Sequence, residues 1–211
     1  MSNRPAASAA ACIKSIKRRF RQLLHSKTSS TSCSSLPDKI QEKKLLVLDL
    51  DETLVRHSES FAESYALSYT IEGSTYYFNF RPFVHKFLER VSQLFDVVIF
   101  TANRRIYADP VIDFLDPGGK LIGRRYYHDS GKTINGCFVK DLTILGVDLA
   151  KVVLVDNDPN NFRLQKNNGI PIVSWYFDPQ DEELSTLLPF LERLAAADDV
   201  RPIIAERFTR S

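Results

Sequence analysis

The rhythm of apolar and polar positions changes at Lys44. From there Leu45-Leu46-Val47-Leu48 form an unbroken apolar run that ends in acid at Asp49, the pattern of a strand buried on both faces of a parallel sheet. Val97-Val98-Ile99-Phe100 repeats the pattern and ends at Thr101, and Val152-Val153-Leu154-Val155 repeats it and ends at Asp156. Ile170 to Trp175 predicts a fourth strand. Residues 67–80 alternate around Glu72-Gly73-Ser74, which predicts a hairpin with aromatic faces (Tyr69, Tyr76, Phe78, Phe80). Pro82 opens a helix whose Phe83, Phe87, Leu88, Val91 and Leu94 share one stripe, and Leu184, Leu187, Leu188, Leu191 and Leu194 line a closing helix. Buried strands separated by helical stretches predict an α/β domain built on a parallel sheet.

Ahead of Lys44 the composition is different. Residues 1–43 are rich in Ala, Ser, Lys and Arg, and seven basic residues but no acidic one precede Asp38. Taking those seven from the net charge of +2 leaves the rest of the chain at −5. The split is a basic, disordered N-terminal extension over 1–43 and a mildly acidic domain over 44–211, with no sign of direct nucleic-acid binding. Ile13, Ile16, Phe20, Leu23 and Leu24 recur at helical spacing within the extension. An organelle transit peptide, a membrane-surface helix, a basic nuclear signal and a solvated tail all fit that pattern. The nucleus or cytoplasm is the expected location, with mitochondrial or other organelle targeting as the alternative.

The 211 residues suit one domain with an appendage, and 44% hydrophobic content is enough for a sizeable core. No stretch approaches the roughly 18 apolar residues of a transmembrane helix. Cys12, Cys33 and Cys137 match neither a disulfide framework nor a zinc spacing. Cys137 is expected to be a buried or half-buried thiol, since no activating base accompanies it.

Chemistry enters at the strand ends. Ligands of open α/β sheets bind beyond the carboxyl ends of the strands, so Asp49 and Asp51, Thr101, and Asp156-Asn157 are expected to converge on one crevice. Two neighbouring carboxylates favour recruiting a divalent cation or keeping one of them protonated, and hard oxygen donors suit magnesium with a phosphate. A carboxylate such as Asp49 can act as nucleophile, with Asp51 placed to protonate the leaving oxygen and later activate water. Taken alone, an Asp-x-Asp pair reads first as helix-capping or solvent-facing acids.

The complete string Asp49-Leu50-Asp51-Glu52-Thr53-Leu54-Val55 after an apolar strand resembles the signature of the haloacid dehalogenase superfamily. More narrowly it resembles the FCP/SCP branch, the small phosphatases of the RNA polymerase II C-terminal domain and their relatives. The resemblance extends through Arg81-Pro82, Phe100-Thr101-Ala102, Tyr107-Ala108-Asp109-Pro110, Val139-Lys140-Asp141-Leu142, Val155-Asp156-Asn157 and Leu187-Leu188-Pro189-Phe190-Leu191. It implies a Rossmannoid parallel sheet flanked by helices, with a small β-hairpin insertion and no large cap domain. It further implies a magnesium-dependent serine/threonine phosphatase with an aspartyl-phosphate intermediate. Asp49 would be nucleophile and metal ligand, Asp51 the acid/base with its carbonyl on the metal, and Asn157 the third metal ligand, supported by Asp156. Thr53, Thr101 and Lys140 would serve the phosphate.

Substrate is a separate matter. Arg104 stands where polymerase-tail phosphatases of the branch carry a leucine, and His128 stands at the position of their substrate-reading arginine. The resemblance therefore implies a phosphorylated protein as substrate, with the RNA polymerase II C-terminal domain one candidate. No insertion between the motifs is long enough for a cap domain, so an open crevice is expected, and the protein is expected to be a monomer. Two other readings compete. One is a peptide-holding member like the branch's mitochondrial translocase subunit, faintly echoed by Asp158-Pro159 and Asp199-Val200-Arg201-Pro202. The other is a small-molecule phosphatase of the wider superfamily.

Overall fold

A computed structural model describes residues 42–59 and 65–208. The amphipathic pattern between Ile13 and Leu24 lies outside the described residues. Five parallel strands form the main sheet: β1 (Lys44–Leu48), β5 (Phe95–Phe100), β6 (Ile122–Tyr126), β9 (Val152–Asp156) and β10 (Gly169–Pro171). Their order is β10-β9-β1-β5-β6, which puts β1 at the centre with β5 and β9 as hydrogen-bonded neighbours. The predicted fourth strand is thus shorter than Ile170–Trp175. It stops at Pro171, and the chain then turns aside so that Trp175 donates its backbone N–H to Glu52 O at 2.8 Å.

The unbroken apolar runs follow from what covers the sheet. Side chains alternate between faces, and both faces of β1, β5 and β9 are buried. Leu46, Leu48, Val97, Ile99, Val153 and Val155 join one core with α1 (Val84–Leu94), α2 (Arg105–Leu115), α3 (Glu183–Ala196) and α4 (Arg201–Phe208). Leu45, Val47, Val98, Phe100, Val152 and Leu154 pack on the other face against Leu142, Leu145 and Phe162, which sit in the short 3-10 helices Leu142–Leu145 and Pro159–Phe162. The helix after Pro82 begins at Val84, and Val84 takes the place on its buried stripe that was expected of Phe83. Phe83 instead has φ 69° and is 39% exposed.

Two small antiparallel units carry residues towards the carboxyl end of the sheet. The expected hairpin is present as β3 (Leu67–Ile71) and β4 (Ser74–Phe80), joined through Glu72 and Gly73 at φ 49° and 88°. β2 (Val55–Ser58) adds a third strand alongside β4. The second unit is β7 (Lys132–Ile134) with β8 (Cys137–Val139), closed by Asn135-Gly136 at φ 53° and 76°, the two positive angles that an Asn-Gly hairpin turn supplies. Cys137, expected to be buried or half-buried, is exposed, because it is the first residue after that turn.

Candidate active site

β1 ends and the chain turns at once. Asp49 donates its N–H to Val155 O at 3.0 Å, so the first carboxylate is tied to the neighbouring strand. Leu50 is buried, and Leu54 and Val55 donate their N–H groups back to Leu50 O at 2.9 and 3.1 Å. That turn lifts Asp51 out beyond the sheet and costs Glu52 a left-handed conformation at φ 62°, an unfavourable one for a residue with a Cβ. Non-glycine residues held in such conformations cluster at functional sites.

The turn is fixed from outside by Arg81, whose side chain is fully buried. Its guanidinium donates to both oxygens of Asp181 at 2.6 and 2.7 Å, to Thr53 O at 3.1 Å and to Val173 O at 2.8 Å. The Arg81-Pro82 pair was visible in the sequence, but this clamping role was not. Its partners lie 28 to 100 residues away.

The residues singled out in the sequence meet beyond β1, β5 and β9. Lys140 is fully buried and donates to Asp49 Oδ1 at 2.5 Å and to Asp156 Oδ2 at 2.6 Å. The other oxygen of Asp156 accepts Asp158 N–H and Asn161 Nδ2, each at 2.9 Å. The β7–β8 hairpin leads straight into Lys140, whose own N–H bonds Asn161 O at 2.7 Å. Thr53 is buried and donates its hydroxyl to Asp49 Oδ2 at 3.0 Å, and Asn157 Oδ1 lies 3.3 Å from the Thr53 hydroxyl oxygen. The Asn157 amide nitrogen donates to Ser174 Oγ at 2.9 Å and to Glu52 Oε2 at 3.3 Å, which leaves its carbonyl oxygen facing the Thr53 hydroxyl.

Asp51 is half-buried and held at both oxygens. Oδ1 accepts Tyr107 O–H at 2.7 Å, and Oδ2 accepts Asn103 Nδ2 at 2.7 Å and the Thr101 hydroxyl at 3.4 Å. Thr101 is buried and also accepts Asn103 N–H at 3.0 Å. Sequence reasoning missed Asn103, Tyr107 and His57 as site residues. The Tyr107-Ala108-Asp109-Pro110 motif was the available signal for the tyrosine. Arg104 is exposed and reaches the hairpin turn, where it pairs with Glu72 at 3.0 Å. His128 is exposed, and its ring stacks on Phe138 with 5.4 Å between centroids.

Charge explains the chemistry available. Asp49 and Asp156 flank the buried Lys140 ammonium, and Asp51 adds a third negative charge that acts on Asp49. Burial pushes the Asp49 carboxyl well above the ordinary carboxylate range, against the pull of Lys140 and with the added push of Asp156 and Asp51. Burial acts on Lys140 the other way, but Asp49 and Asp156 outweigh it and keep the ammonium charged above its ordinary value. Burial and Asp51 likewise keep the Tyr107 phenol neutral. Among the described residues no three His, Cys, Asp or Glu side chains group as a metal cage. Instead, one carboxylate oxygen (Asp49 Oδ2) and one amide oxygen (Asn157 Oδ1) converge on the Thr53 hydroxyl in a region of excess negative charge. That donor set fits magnesium, which takes few protein oxygens and keeps its waters.

The NLI interacting factor-like phosphatase model matches residues 44–201. The chain is similar to CTD small phosphatase-like protein 2 of Dictyostelium discoideum, with 42% identity over 90% of this chain and 34% of that protein. It is 38% identical to the CTD nuclear envelope phosphatase 1 homolog of Drosophila melanogaster, over 78% of this chain and 72% of that one. It is 40% identical to human carboxy-terminal domain RNA polymerase II polypeptide A small phosphatase 2, over 78% and 63%. In fold it resembles the fission yeast RNA polymerase II CTD phosphatase Fcp1 bound to beryllium fluoride. The TM-score is 0.54 at 20% identity, covering 78% of this chain and 54% of that one. The chain spans 34%, 54% and 37% of the lengths of three of the curated relatives it matches.

Proposed function

The chain belongs to the NLI interacting factor-like phosphatase family, and from that premise we propose that it is a magnesium-dependent phosphatase of phosphoserine or phosphothreonine in proteins, with Asp49 as nucleophile. The observation that carries the reading is Lys140 Nζ at 2.5 Å from Asp49 Oδ1, buried at the point where β1, β5 and β9 end. A cation fixed beside a nucleophilic carboxylate can cancel charge on an incoming phosphoryl group, and phosphoryl transfer is largely positioning plus such cancellation.

Asp49 attacks phosphorus, forming an oxygen–phosphorus bond as the bond to the serine or threonine oxygen breaks. Asp51 gives that leaving oxygen a proton. A water then enters, Asp51 takes its proton, and attack on phosphorus releases phosphate and restores Asp49. Thr53 orients Asp49, Thr101 offers its hydroxyl to the phosphoryl group, and Asp156 fixes Lys140. Asp49, the Asp51 carbonyl and Asn157 would hold magnesium, whose charge would further offset that of the phosphoryl oxygens. The relatives' names include the RNA polymerase II C-terminal domain. Arg104 and His128 differ from the residues that read that tail, so the proposed substrate is a phosphoprotein, with the polymerase tail one candidate.

The test is hydrolysis of p-nitrophenyl phosphate with and without magnesium. Turnover is expected only with the metal. Asp49→Asn, which is isosteric, is expected to lower it by more than about 10³-fold, on the scale of losing a nucleophile, with the circular dichroism spectrum unchanged. A wild-type protein inert across acidic to neutral pH would overturn the reading.

A further inference from the structure

A hydroxyl has one proton to give, and the Tyr107 hydroxyl sits between two partners. It lies 2.7 Å from Asp51 Oδ1 and 2.6 Å from His57 Nδ1. In its ionised form, the state in which it takes a proton from water, Asp51 only accepts hydrogen bonds, so there Tyr107 donates to Asp51 and accepts from His57 Nδ1–H. The other oxygen of Asp51 is occupied by Asn103 at 2.7 Å. The Tyr107 ring is itself fixed. It packs edge-on against His57, Tyr76 and Phe78 at 5.5, 5.7 and 5.5 Å, and its backbone carbonyl accepts the Tyr69 hydroxyl. These contacts span β2, β3, β4 and α2, so two separate units of the fold fix one oxygen of one carboxylate. A tyrosine needed only for packing would gain nothing from a hydroxyl aimed at Asp51.

We propose that Tyr107, supported by His57, is a positioning residue that aims Asp51 at the leaving oxygen. The proposal rests on the reading of Asp51 as acid and base given above. A side chain that transfers a proton must lie within hydrogen-bond reach and in line, and free rotation of Asp51 would spread its oxygens over many orientations. Asn103 alone leaves Oδ1 unheld. His57 orders the tyrosine hydroxyl rather than touching the leaving group, and its removal is therefore expected to act in the same direction with smaller size.

Single-turnover kinetics with enzyme in excess tests the assignment. Nitrophenolate leaves without a proton, whereas a serine alkoxide needs one. Tyr107→Phe keeps the ring, and it is expected to slow a phosphoserine peptide about 10- to 100-fold more than it slows p-nitrophenyl phosphate, a share of what general acid catalysis supplies. His57→Phe, which also keeps a ring in place, should shift the same ratio by a smaller factor. Equal slowing of both substrates by Tyr107→Phe, or no change in either, overturns the proposal while leaving the phosphatase reading intact. Retained turnover in Asp49→Asn would instead bring down the reading beneath it.

Discussion

Asp141 shows what holds the residue next to Lys140 in place. It is buried, and burial works against its ionisation. Hydrogen bonds from Lys132, the Thr143 N–H and hydroxyl, and Gln165 outweigh that and hold its carboxyl down at about 2. A carboxyl depressed on folding stabilises the protein at pH above its unfolded value of about 4, and that contribution is lost as pH falls towards 2. The gap corresponds to roughly 1–2 kcal/mol once the exposure of Lys132 is allowed for. Urea titrations from pH 6 to pH 2 are expected to show the wild type losing stability below pH ~4. Asp141→Asn should be less stable at pH 6 by about that amount and should decline less steeply. Identical slopes for the two proteins would contradict the assignment.

At the scale of elements, the β7–β8 hairpin exists to deliver Lys140. Its turn needs two left-handed residues, and Gly136 at φ 76° is the one without a side chain. Gly136→Ala meets no neighbour within 4 Å, so its cost is backbone strain alone, about 1–2 kcal/mol. Thermal melts should register that loss, and an unchanged midpoint would contradict the strained turn. The same hairpin shows where sequence reading reaches and stops. β1, β5 and β9 were legible because both their faces are buried, and their polar ends named Asp49, Thr101 and Asp156. β6 carries Gly123, Arg124 and Arg125 at the edge of the sheet, so no apolar run announces it. β2 gains its identity from pairing with β4, a non-local fact. Phe83 kept the helical spacing but lies before the first turn of α1, where a positive φ sends it to solvent. Tyr107 and Asn103 reach Asp51, and His57 reaches Tyr107, only through folding, across 50 or so residues.

At the scale of the described molecule, one arginine links parts distant in sequence. Arg81 ties the turn after β1 to the segment after β10 through Thr53 O, Val173 O and Asp181. Arg81→Ala strands a nearly buried carboxylate and two carbonyls, and the loss expected for breaking such a pair is about 3–5 kcal/mol. Chemical denaturation should report it as a lowered midpoint, and a loss below about 1 kcal/mol would show that the clamp is incidental. The chain spans only part of several relatives. The domain from Lys44 onward carries all of the proposed chemistry.

That chemistry depends on a phosphoryl group resting on Asp49. Rapid acid quench of the full chain during turnover of a radiophosphate-labelled phosphoserine peptide, followed by peptide mapping, tests this directly. The account predicts label on the fragment containing Asp49, released by hydroxylamine as an acyl phosphate must be, and absent from Asp49→Asn. Turnover with no label on the protein, or with label on another residue, would contradict it.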